Sequence, residues 1–61
     1  MLIYLENFKK NTFVEINKGL SNFTMRMGKI GEEGTVRTYT NQNMAEKLVI
    51  IKKSQGYTEV K

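Results

Sequence analysis

The chain contains no cysteine, no histidine, no aspartate and no proline. Without cysteine there is no disulfide to staple the fold and no thiolate to hold a metal, although that absence alone says little about compartment. Without histidine, every catalytic arrangement that relies on an imidazole base is excluded, and an ordinary zinc site nearly so. All six acidic residues are glutamate, so a general base at neutral pH would have to be a glutamate or lysine with a strongly shifted pKa. The expectation is a non-catalytic protein with no cofactor, no metal and no small-molecule substrate. Long apolar runs are also missing. The longest, residues 48–51, falls far short of the roughly 20 residues a membrane helix needs. Residues 1–6 have neither the basic leader nor the extended apolar core of a signal peptide. No membrane partner is expected, and the default location is cytoplasmic. With no proline, no Ser/Gly tract and no internal repeat, nothing reads as a linker. The 61 residues are expected to form one domain over 1–61. A chain this short buries only ~60% of the surface its unfolded form exposes, so its stability is marginal.

What is present is positive charge. Ten Lys and Arg against six Glu give a net charge of +4. A basic balance on a small domain favours anionic partners, nucleic acid or an acidic protein surface, though it also serves plain solubility. Lys, Asn and Ile together supply 19 of the 61 residues, a bias that fits an AT-rich bacterial or phage genome.

The hydrophobic period places the elements. Residues 2–8 are rich in apolar and aromatic side chains and read as a strand, closed by the polar turn Lys9-Lys10-Asn11. Residues 12–17 form a second strand, with Val14 and Ile16 on one face and Phe13 and Glu15 on the other. Residues 17–21 carry hairpin-turn residues. Residues 22–30 alternate cleanly, Phe23, Met25 and Met27 against Thr24, Arg26 and Gly28. Residues 31–34 make the next turn, and the β-branched and aromatic residues 35–40 a fourth strand. The period then changes. Thr40 or Asn41 caps a helix whose stripe of Met44, Ala45, Leu48 and Ile51 lies on the sheet, widened by Val49 and Ile50. Lys52 and Lys53 suit the helix dipole in the last turn, and Gly56 is a good residue to end it. Tyr57 folds back to pack, and residues 58–60 can add a short strand. The expected fold class is α+β: an antiparallel sheet of four or five strands with one C-terminal helix packed on one face.

One stretch carries more than its period: Met25-Arg26-Met27-Gly28-Lys29-Ile30-Gly31-Glu32-Glu33-Gly34-Thr35. Three glycines at a spacing of three permit positive φ and close backbone approach, and Arg26, Lys29 and Arg37 flank them. This stretch resembles the signature of the WGR domain, Trp-Gly-Arg-(Ile/Val)-Gly-x-x-Gly, with Met27-Gly28-Lys29 standing where Trp-Gly-Arg stands in the family. The resemblance extends over essentially the whole chain. Asn11-Thr12-Phe13 stands where the family has an Asn-led start to its second strand. Residues 52–57, Lys-Lys-Ser-Gln-Gly-Tyr, stand where it has Lys-Lys-Gly-Tyr. The domain is best known as a regulatory module of DNA-damage-responsive poly(ADP-ribose) polymerases. The resemblance implies DNA contact near strand ends or nicks and contact with other domains. It does not bring the polymerase activity, which resides in a separate domain. By position it points to Met27 and Lys29 as nucleic-acid-binding residues, with Asn11 and Lys52 matching further family positions. Methionine has no flat π face for a base or sugar, and lysine keeps the charge but loses the planar fork of arginine, so phosphate contact is implied more directly than end recognition.

Each candidate has a plainer role beside the functional one. Met27 is in phase with the core, Arg26 and Lys29 can be solvated sheet residues, and Asn11 can simply form a turn. Gly28, Gly31 and Gly34 fit turn geometry better than a phosphate cradle, because no helix N-terminus follows them. Glu32 and Glu33 would repel phosphates. Two functions follow. The leading one is a non-catalytic nucleic-acid-binding module, most readily of DNA, whose contacts come from Arg26, Met27, Gly28, Lys29, Arg37, Lys52 and Asn11, with Lys9 or Lys10 adding to them. The alternative is a protein-interaction or self-association module acting through an exposed sheet edge or the apolar helix face that includes Ile50.

Overall fold

Alternating residues become paired strands because a period of two places every second side chain on one side of the pleat. The computed structural model describes residues 2–41 and 43–60. Strands β1 (Leu2–Asn7), β2 (Thr12–Lys18), β3 (Phe23–Lys29) and β4 (Thr35–Tyr39) precede helix α1 (Asn43–Ser54), and β5 (Thr58–Glu59) follows it. They build a five-stranded sheet in the order β4-β3-β2-β1-β5, antiparallel at every pairing. The fold is α+β.

Register fixes the two faces, since directly opposed residues share a side. Leu5 opposes Val14, Ile16 opposes both Ile3 and Met25, and Phe23 opposes Tyr39. These residues, with Ala45 of α1 and Tyr57 beyond it, make the core; Met27, Leu48 and Val49 pack against it partly exposed. The Phe23 and Tyr39 rings stack 4.8 Å apart, which ties the start of β3 to the end of β4.

Both ends of α1 are capped. Asn41, not Thr40, closes the N-terminus: its Oδ1 accepts from the Asn43 amide at 3.0 Å and its carbonyl from the Met44 amide at 3.1 Å. At the C-terminus Gly56 adopts φ 102°. The Gly56 amide donates to the Lys53 carbonyl and the Tyr57 amide to that of Lys52, the paired bonds of a Schellman motif. The motif turns Tyr57 back into the core.

Two sequence expectations change. The helix buries Ala45, with Leu48, Val49 and Lys52 partly covered, whereas Met44 and Ile51 are 42% and 47% exposed. The inward stripe is therefore Ala45-Leu48-Val49-Lys52, rotated from the one drawn through Met44 and Ile51. In that rotation Lys53 pairs with Glu59 on β5 at 3.5 Å and Lys18 on β2 with Glu46 at 3.9 Å, both at the surface. Strands β1 and β4 also end one residue early, and β3 is shorter by one residue at each end. Phe8 leaves the sheet and stands 73% exposed in the turn.

Candidate nucleic-acid interface

On the sheet face away from the helix, Phe13 is 2% exposed. Its ring stacks on Tyr4 at 5.8 Å, and the Arg26 guanidinium lies over it at 5.2 Å. Arg26 Nη2 donates to Glu15 Oε2 at 3.0 Å, while its buried Nε has no hydrogen-bond partner among the described residues. Arg26 is thus held by a carboxylate and a ring. Tyr4 donates to Glu6 Oε2 at 3.0 Å. Burial, then the bond to Glu6 and its charge, raise the Tyr4 phenol above its ordinary pKa.

The glycine motif completes this cover. Gly28 opposes Phe13. A Cβ on Gly28 would come within 2.7 Å of Gly34 Cα, and one on Gly34 within 2.5 Å of the Met27 carbonyl and 3.1 Å of the Phe13 ring. Gly31 and Gly34 have φ of 93° and 77°. The β3–β4 turn therefore closes on its own strand and on Phe13, a contact that only the missing Cβ atoms allow.

The helix-side face gathers a different set at one end. β1 and β3 run toward this end, β2 and β4 start from it, and α1 finishes over it. Lys29 opposes Thr12, and Thr12 Oγ1 lies 2.8 Å from the Tyr57 hydroxyl. Lys52 Nζ sits 5.5 Å from the centre of the Tyr57 ring. Asn11 takes φ 57°, and its carbonyl accepts from the Ile30 amide at 3.0 Å, which locks the β1–β2 turn to the end of β3. Asn7, 3% exposed, joins the turn to the helix: Oδ1 accepts from the Lys10 amide at 3.1 Å and Nδ2 donates to the Gln55 carbonyl at 3.4 Å.

Lys29, Asn11 and Lys52 therefore converge, with Met27 on the same face one step inward and packed on the core. Arg26 and Gly28 lie on the opposite face. Arg37 opposes Met25 on edge strand β4, midway along the sheet. The end also collects Lys9, Lys10 and Lys53, so five lysines meet four glutamates there: Glu59, paired with Lys53, Glu32 and Glu33 on the exposed β3–β4 turn, and Glu6, which accepts from Tyr4 on the face away from the helix. Among the described residues, Lys9, Lys10 and Lys29 form no ion pair. A sequence reading centred on the glycine motif assigns Lys53 only a helix-capping role and leaves out Phe8; the Phe-Lys-Lys run of residues 8–10 is the available signal. The surface is open, with no enclosed pocket among the described residues, and no described helix is long and apolar enough to cross a membrane. No protein-family model matches this chain, and no curated protein or solved structure matches it either.

Proposed function

We propose that this chain is a divergent WGR-type domain that binds nucleic acid, DNA foremost, by phosphate contacts and catalyses no reaction. The observation that supports this reading is the gathering of Lys9, Lys10, Lys29, Lys52 and Lys53 at one end of the sheet, from three segments distant in sequence. Ammonium groups on flexible stems suit phosphates as point charges. Lys29 and Lys52 stand on either side of the Thr12–Tyr57 bond, which fixes the backbone from which both reach. Asn11 supplies a side-chain amide at the same end. Arg26 plays a structural part in this reading, as the cover of Phe13.

The test is a fluorescence-anisotropy titration with a labelled duplex at low and moderate salt. Lys29→Glu and Lys52→Glu should each weaken binding and lower the salt slope by roughly 0.9 per lost phosphate contact on duplex DNA. Lys47→Glu, on the outer side of α1, is the control. Binding indifferent to salt, or weakened equally by Lys47→Glu, would sink the reading.

One observation favours the protein-interaction alternative. Strand β4 pairs only with β3 and has four exposed residues of five, Val36 among them at 58%. Such an edge offers unpaired backbone groups to a further strand. Concentration-dependent sedimentation together with no binding to nucleic acid would turn the assignment to that edge.

A further inference from the structure

We infer that the basic end takes single-stranded nucleic acid, with a base stacked on Phe8, an inference that rests on the phosphate-binding reading above. Phe8 is an aromatic residue 73% exposed at the start of the β1–β2 turn. It contributes nothing to the core that would explain it. Lys9 and Lys10 follow it directly, and Lys29 reaches the same end through the Asn11–Ile30 bond. An exposed ring beside cations that track a phosphate chain is the arrangement by which proteins hold single strands, because every base has a π face.

The turn is a firm platform for such stacking. Asn7 holds the Lys10 amide from beneath, and Asn11 secures the far side of the turn to β3. The neighbouring turn favours a narrow ligand over a wider anionic surface. Glu32 and Glu33 are exposed beside the end of β3, and their carboxylates would face the second phosphate ridge of a duplex or the headgroups of a flat anionic membrane. A single strand is narrow and flexible enough to pass along Lys9, Lys10, Lys29 and Lys52 and leave the carboxylates in water.

The protein has no tryptophan, so Phe8→Trp introduces a single indole, excited apart from the tyrosines, at the proposed stacking position. The experiment titrates wild type, Phe8→Ala and Phe8→Trp with a 12-nucleotide single strand and a duplex of equal length at two salt concentrations, and with phosphatidylserine vesicles. The expected result is a preference for the single strand, which quenches the indole fluorescence of Phe8→Trp. Phe8→Ala should lose about tenfold in single-strand affinity with the duplex little affected, a loss within the range of one base–aromatic stack. Salt-dependent binding with no quenching and no loss in Phe8→Ala would overturn the stacking inference and leave the phosphate reading standing. No salt-dependent binding of either nucleic acid, including a response to vesicles alone, would overturn both.

Discussion

Gly34 owes its identity to two requirements that separate cleanly from those on Gly31. Both adopt positive φ, which costs an L-residue about 1–2 kcal/mol. Only Gly34 also faces a backbone obstruction, at 2.5 Å; a Cβ on Gly31 meets nothing within 4 Å. Gly34→Ala is therefore expected to lose about 2–4 kcal/mol and Gly31→Ala about 1–2, against a scale of ~4–8 °C in Tm per kcal/mol for a domain this small. Equal melting temperatures for the two variants would refute the close approach. Tyr4 makes a second prediction. Its folded-state pKa is raised, so the folded chain retains a proton that the unfolded chain loses above about pH 10. The associated stability is present below that pH and falls as pH rises toward the folded value. Tyr4→Phe should show a shallower alkaline decline in stability, measured by urea unfolding between pH 9 and 11. At this scale the glycines were legible in the sequence as turn-formers. The fit of Gly28 and Gly34 against Phe13 was not, because it joins a ring on β2 to the next strand and the turn beyond it.

The elements themselves followed from local pattern. Alternation in residues 12–17 and 23–28 placed the side chains on their observed faces, and Gly56 marked the helix end because no other residue type adopts φ near 100° at so little cost. The rotation of α1 was not legible. Met44, Ala45, Leu48, Val49 and Ile51 contain two overlapping apolar stripes, and periodicity cannot choose between them. The choice is made by the Schellman turn, which anchors Tyr57 against Thr12, and by the packing of Ala45, Leu48 and Val49 on the sheet core. Asn7 was invisible as a junction, since both its partners lie outside its own strand. Asn7→Ala should cost about 1–3 kcal/mol, the range for stranding buried hydrogen-bonding groups. Hydrogen exchange gives the decisive readout: the Lys10 amide should lose protection more than amides in the middle of β2. Uniform loss across the sheet would mean that Asn7 does not join the turn to the helix.

Across the whole molecule, charge is sorted by end and by face rather than spread evenly. Arg26 is neutralised by Glu15, Lys18 faces Glu46 and Lys53 faces Glu59. Five lysines, three of them in no ion pair among the described residues, gather where β1 and β3 finish and α1 ends, beside Glu6, Glu32, Glu33 and Glu59. Reversing Lys29 in the binding test should therefore alter affinity far more than melting temperature, because an exposed charge contributes little to stability. Of the residues marked in the sequence as contacts, Lys29, Asn11 and Lys52 share this end, whereas Arg26 and Gly28 support Phe13 on the opposite face. Sequence alone determined the absence of imidazole and thiol chemistry, the net basic charge, the order of the elements and which side chains alternate, since these depend on composition and on neighbours a few positions apart. Tertiary structure decided which arginine is neutralised, which stripe of the helix turns inward and which lysines meet, because each depends on register and on contacts between segments as far apart in sequence as Thr12 and Tyr57 or Asn7 and Gln55.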